Sequence, residues 1–170
     1  MVETARLLVI PLTYRELQLY LQGNDLYEQA AGLMGAGRTV VPAVQERITK
    51  FTLPKMAHAM GENYLFYTFW VVMEKNGRTI VAELGFKGEP NIRKEIEIGY
   101  GTMPLQQGKG YMTEAVGGML NWAKTRNDVD VMLAETDEAN TASIRVLRNN
   151  RFIQFDKRGN MLWWRNNLKM

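Results

Sequence analysis

The chain has 170 residues, of which 46% are apolar and 23% charged, and its net charge is +3. That length fits a single domain, residues 1–170, able to bury a real core, and the composition excludes long disordered stretches. The small charge excess comes without any run of Lys and Arg, so no nucleic-acid partner is expected. The chain has no cysteine, which excludes disulfides, thiolate zinc sites and a cysteine nucleophile and fits a cytoplasmic protein.

The opening apolar run ends at Pro11, too short for the core of a signal peptide. No stretch approaches the roughly 20 apolar residues that span a bilayer. Leu7 to Ile10 reads as a first strand. Thr13 followed by Glu16 has the spacing of a capping box, and Tyr14, Leu17, Tyr20 and Leu21 recur at helical spacing behind it. Residues 32–37 are small and read as a loop. Pro42 opens a second helix whose apolar face is Val44, Ile48 and Phe51. A third short helix is expected after Pro54, through Met56, Ala59 and Met60.

Leu65 to Met73 is aromatic and β-branched and reads as a strand. Asn76-Gly77 is a pair favoured in tight hairpin turns, and Thr79 to Phe86 is the returning strand. After a turn at Gly88, Pro90 and Asn91, Glu95 to Thr102 alternates, with Ile96 and Ile98 on one face and Glu95 and Glu97 on the other. The middle of the chain is therefore an antiparallel meander. Beyond Pro104, Ala115, Val116, Met119, Leu120 and Ala123 share one helical face. Val129, Val131 and Leu133 alternate as a strand, Asn140 caps a helix carrying Val146 and Leu147, and 152–155 pairs with 162–164 around Gly159. These elements predict an α/β (α+β) fold with a mixed, mostly antiparallel central sheet flanked by helices.

The segment from Gln107 to Thr113 carries the chemistry. It follows a strand and enters an amphipathic helix. Gly108 and Gly110 let the backbone approach a ligand, and the helix start adds unpaired N–H groups and partial positive charge. Gln107, Lys109, Tyr111, Met112 and Thr113 complete the loop. Such a loop suits a pyrophosphate; it also reads as a plain glycine-rich connection. It is not a P-loop, because Gly101 is too far from Gly108-Lys109, and Thr113 stands where a dinucleotide fingerprint needs glycine.

This segment resembles the acetyl-CoA-binding motif of the GNAT superfamily of N-acetyltransferases. Gln107 and Gly110 match two fixed positions, while Met112 departs from a third, where a small residue is usual. Asn140, Ser143 and Phe152 are similar to the later motif of the family. Thr4-Ala5-Arg6-Leu7-Leu8 and 110–116 are similar to the branch acting on ribosomal-protein N-termini. Arg151 stands where glycine is usual, so Asn150 is expected to take the left-handed turn. Leu147 stands where many members carry a tyrosine general acid.

The resemblance implies acetyl-CoA as acyl donor, no metal, and direct transfer to an amine acceptor whose identity stays open. It implies central strands that splay, Glu95 to Thr102 from Val129 to Glu135, with pantetheine in the gap. Tyr100, Gly101, Thr102 and Asn140 are then expected to contact the cofactor, and Ser143 to serve the leaving thiolate. Candidate bases are Glu97 and Glu135, acting directly or through water; both also fit solvated outward positions. Ser143 and Asn140 equally suit a helix turn and a bare cap. The lone His58 and the run Phe66, Tyr67, Phe69 and Trp70 read as structural. Of Trp163-Trp164 one ring must face outward, toward an acceptor site or a homodimer interface. A fold that binds acyl-CoA without catalysis and a nucleotide-phosphate binder are the competing readings.

Overall fold

The computed structural model describes residues 1–35, 37 and 39–169. Eight strands form one sheet: β1 (Val2–Glu3), β2 (Leu7–Pro11), β3 (Phe69–Glu74), β4 (Thr79–Phe86), β5 (Glu95–Thr102), β6 (Val131–Asp137), β7 (Ile153–Arg158) and β8 (Met161–Asn167). Their spatial order is β1-β2-β3-β4-β5-β6-β8-β7, antiparallel throughout except for the parallel pair β5–β6.

The helices are α1 (Tyr14–Gln22), α2 (Leu26–Ala30), α3 (Pro42–Arg47), α4 (Leu53–His58), α5 (Tyr111–Lys124) and α6 (Thr141–Asn149). One core lies on the α5 and α6 side of the sheet, with Ile96, Ile98, Met119, Met132 and Leu147 at its centre. The other joins Leu17, Tyr20, Ile48 and Met56 to Val71 and Ile80 on the opposite face. Burial of two such apolar layers against one sheet is what holds a fold of this type.

Local signals explain much of this. Thr13 caps α1 through both bonds of a capping box, and Leu17, Tyr20 and Leu21 are buried while Tyr14 is exposed. All five expected apolar residues of α5 are buried. β4 and β5 span the expected residues. Ala36, in the expected loop 32–37, lies outside the described residues.

Several expectations are corrected. Residues 42–58 form one helical run, in which Ile48–Thr52 takes a π turn between α3 and α4. That local widening accommodates Pro54, which has no N–H to donate. Only Ile48 of the expected face is buried; Val44 and Phe51 are exposed, Phe51 at 62%. Ala59 and Met60 fall beyond α4.

Gly61–Phe66 is a 3-10 turn, so β3 starts only at Phe69. Trp70 Nε1–H donates to the Leu65 carbonyl at 2.9 Å, and the buried Thr68 hydroxyl donates to the Leu12 carbonyl at 2.6 Å. Aromatic composition alone does not separate that packed turn from a strand. The β3–β4 hairpin closes through residues 75–78. Its positive φ falls on Arg78, at 48°, rather than on Asn76-Gly77. The buried residues of β6 are Met132, Ala134 and Thr136, one step from the expected set. Arg151, with φ 60°, takes the left-handed turn after α6, not Asn150. The Asn150 amide donates to the carbonyls of Val146 and Thr113, both at 3.0 Å, and so fixes that residue at the helix end. The strain on Arg151 costs about 1 kcal/mol.

Candidate active site

The sheet parts at its centre. β5 and β6 pair only at Glu95↔Val131, Ile96↔Met132 and Glu97↔Leu133. Beyond Glu97, β5 continues to Thr102 against β4 alone, and β6 continues to Asp137 against β8 alone. Residues 98–102 therefore present backbone groups to a gap inside the sheet that no strand fills. A Cβ added at Gly99 or Gly101 would meet nothing within 4 Å, so the floor of β5 is open there.

The glycine loop stands at the mouth of this gap. Pro104–Gln106 makes a 3-10 turn, after which Gly108 (φ 77°) and Gly110 (φ 79°) adopt the left-handed conformation. No side chain caps α5. Its first N–H groups are free to meet an anion, and the helix dipole adds to their pull. Met112 is 5% exposed and packs into the core beneath α5. It therefore turns away from the loop and leaves the anion approach open, whereas Thr113 uses its carbonyl to receive Asn150. Lys109 Nζ donates to Gln106 Oε1 at 2.8 Å.

Two residues outside the expected site set, Arg6 and Glu114, hold the loop. The Arg6 side chain donates through Nη1 to the Lys109 carbonyl at 3.1 Å and lies 4.9 Å from the centre of the Tyr111 ring. Glu114 accepts from the Arg6 backbone N–H and Nε, each at 2.7 Å, and from the Thr4 hydroxyl at 2.6 Å. Burial pushes the Glu114 carboxyl up, but these bonds and the Arg6 charge outweigh it and hold the carboxyl below its usual range. A lowered folded value stabilises the fold above the ordinary value of 4.5, and that stability is lost as pH falls through the folded value. Glu114→Gln is therefore expected to melt earlier than the parent at neutral pH, with the difference closing as pH falls below 4.5. Thermal melts across pH check this; a constant difference would exclude the linkage.

On the α6 side of the gap, Asn140 Oδ1 accepts from the Ser143 N–H at 3.0 Å. Asn140 is thus the helix cap, and it is exposed. The Ser143 and Tyr100 hydroxyls lie 3.0 Å apart, and either can donate. Tyr100 OH also lies 3.4 Å from the Ser143 carbonyl. Burial raises the Tyr100 pKa and the bond to Ser143 partly offsets it. Leu147 is 0% exposed, one turn further along α6 and within the core.

Glu97 and Glu135 face the opposite side of the sheet, away from Ile96, Ile98 and Met132. Lys87 joins them: its Nζ pairs with Glu97 and, at 3.0 Å, with Glu135. Desolvation lowers the Lys87 pKa, yet the two carboxylates outweigh it and raise the value. On the same face Tyr20 OH donates to Glu83 at 2.5 Å, and Glu83 stands in register with Gly101.

His58 is exposed at the end of α4, and no cluster of three metal-ligating side chains occurs among the described residues. Trp164 is buried; Trp163 is half-buried beneath Arg158. A cleft of about 580 Å3 lies elsewhere, around Trp122 and Arg126 at the far end of α5. Asp128 and Glu62 engage Arg126 there, and the cleft lies away from the parted strands and the glycine loop. Among the described residues no helix is long and apolar enough to cross a membrane.

Likeness to known proteins agrees with this geometry. The chain is 33% identical over 95 residues to the uncharacterized N-acetyltransferase YjdG of Bacillus subtilis (strain 168), a match spanning 56% of each chain. A ribosomal-protein-S5-alanine acetyltransferase from Vibrio fischeri has a similar fold, with a TM-score of 0.67 at 15% identity over 97% of this chain and 94% of that one. So does RimL, a ribosomal L7/L12 α-N-protein acetyltransferase solved with coenzyme A, with a TM-score of 0.64 at 16% identity over 96% and 95%. Residues 6–153 match the acetyltransferase (GNAT) domain, and the chain belongs to that family.

Proposed function

We propose that the protein is an acetyl-CoA-dependent N-acetyltransferase that transfers acetyl directly to a primary amine, on a protein N-terminus or a small molecule. The observation that carries this reading is the parted β5–β6 pair with the uncapped α5 start and its two left-handed glycines at the mouth. The open space at Gly108, where a Cβ would meet nothing within 4 Å, fits a pyrophosphate approaching the backbone. The acceptor classes follow the similar folds, which include ribosomal-protein acetyltransferases and a spermidine N-acetyltransferase chimera from Vibrio cholerae.

The donor supplies an activated thioester carbonyl. The N–H groups of Gly108, Lys109, Gly110 and the first turn of α5, with Gln107 beside them, hold the pyrophosphate. The free edge of Tyr100, Gly101 and Thr102 receives pantetheine amides, and one of its N–H groups polarises the thioester oxygen. Asn140 adds a contact from α6. Glu97, with Glu135 beside it, takes the proton of the acceptor ammonium directly or through water, and Lys87 bridges the two carboxylates. Ser143 donates to the leaving thiolate.

The test is ligand stabilisation followed by turnover. Coenzyme A at a hundredfold excess over its dissociation constant is expected to stabilise the fold by about 2.7 kcal/mol, read as a raised melting temperature, and ATP to do less. With no cysteine in the chain, a thiol reagent reads only the coenzyme A released on a panel of amines. Stabilisation by ATP alone would point to a nucleotide binder. Coenzyme A binding without thiol release would favour a binding module, the reading that the missing tyrosine at Leu147 supports.

A further inference from the structure

We propose that Tyr100 is the proton source for the leaving thiolate, acting through Ser143 of α6 at the gap between β5 and β6. This rests on the acetyl-transfer reading above and adds a residue to it.

Three observations carry the inference. The first is position. Tyr100 sits on the last stretch of β5 before the glycine loop, where β6 has already parted from it, and its hydroxyl reaches Ser143 on α6 at 3.0 Å. The bond thus joins β5 to α6 beside the place where the two strands part. The second is elimination on α6. Leu147 is fully buried and carries no proton, so this helix provides no phenol of its own. The third is the separation of faces. Tyr100 shares its sheet face with Ile96 and Ile98, whereas Glu97 and Glu135 point to the other. An amine deprotonated on the carboxylate face and a thiolate protonated on the hydroxyl face would meet only at the gap, so acid and base do not neutralise each other.

The chemistry requires a partner for Ser143. A serine alcohol is too weak an acid to finish as an alkoxide, so it can pass a proton on only if another group replaces it. A phenol is a far stronger acid and lies within bonding distance. The step balances as follows. The N–C bond forms and the C–S bond breaks; sulfur takes the Ser143 proton as Ser143 Oγ takes that of Tyr100. Water then reprotonates the phenolate, and the acceptor's proton leaves through Glu97 or water. The causes of the Tyr100 shift are burial and the Ser143 bond, with no charged neighbour among them. The phenol therefore stays protonated at neutral pH.

Tyr100→Phe, Ser143→Ala and the double variant test this, together with 3,5-difluorotyrosine at position 100, which is more acidic than tyrosine. Tyr100→Phe is expected to lower kcat at least about tenfold, with the affinity for coenzyme A within about twofold of the parent. The double variant should be no slower than the slower single. The fluorinated side chain should restore most of the turnover and bring an alkaline decline of kcat into the measurable range, a decline absent from Tyr100→Phe. Unchanged kcat in Tyr100→Phe, independent multiplying losses in the double variant, or no alkaline decline with the fluorinated residue would overturn the proposal. A rate loss matched by lost coenzyme A affinity would make Tyr100 a packing residue and overturn it equally. A parent that neither binds coenzyme A nor releases thiol removes the acetyl-transfer reading itself, a result these variants cannot mimic.

Discussion

Gly110→Val is expected to weaken coenzyme A binding by about a hundredfold, the equivalent of two charge-assisted hydrogen bonds at about 1.5 kcal/mol each. Two effects combine. Gly110 holds φ at 79°, a conformation that a β-branched residue avoids, so the loop backbone must rotate and its N–H groups lose their aim. A Cβ there would sit 3.5 Å from Arg6 Nη2, already in contact, so the two γ-methyls of valine beyond it would crowd the guanidinium that holds the loop. Gly108→Ala separates strain from crowding. It has φ 77° and no atom within 4 Å of the added carbon, so it should cost about 1–2 kcal/mol of stability with a smaller loss of affinity. Calorimetric titration with coenzyme A and melts without ligand read the two quantities. Parental affinity in Gly110→Val would place the anion site elsewhere.

The second large effect belongs to the carboxylate face. Glu97→Gln is expected to reduce kcat/KM by about a hundredfold at neutral pH, at the low end of general acid–base contributions. The loss should shrink toward high pH, where the acceptor amine is already neutral and needs no base. Glu135→Gln leaves Glu97 paired with Lys87 and should cost less, because Glu97 closes the β5–β6 ladder next to the gap while Glu135 lies two residues past its last partner. A pH–rate profile for each variant decides. A uniform loss at every pH would give Glu97 an electrostatic role in holding Lys87 instead.

The readable parts of the sequence are those governed by neighbours in the chain. The capping box at Thr13, the apolar stripe of α5, the alternation of β5 and the Gly108 and Gly110 turns each depend on residues within a few positions. Pairings over long separations were not legible. Nothing in the sequence links Arg6 to Glu114, 108 positions away, or places one lysine between Glu97 and Glu135. The meeting of Tyr100 with Ser143 depends on where β6 leaves β5, which no local pattern encodes. The aromatic run before Phe69 misled because a packed 3-10 turn and a strand draw on the same residues. Pro54 misled because a π turn upstream let the helix continue. Met112 departs from the small residue usual in the motif, yet its position on the inner side of α5 makes it an ordinary core residue.

The parted ladder has a consequence for how far such a chain can drift. A recess formed where two strands separate is made of main-chain groups, which every residue except proline supplies alike. Selection on it acts through strand direction and the few positions of required turn geometry, and leaves most side chains free to change. The similar folds keep this shape at low sequence identity. The carboxylate face, where Tyr20 meets Glu83 and Lys87 meets Glu97 and Glu135, is made of side chains instead, so substitution can rewrite it while the main-chain recess stays as it is.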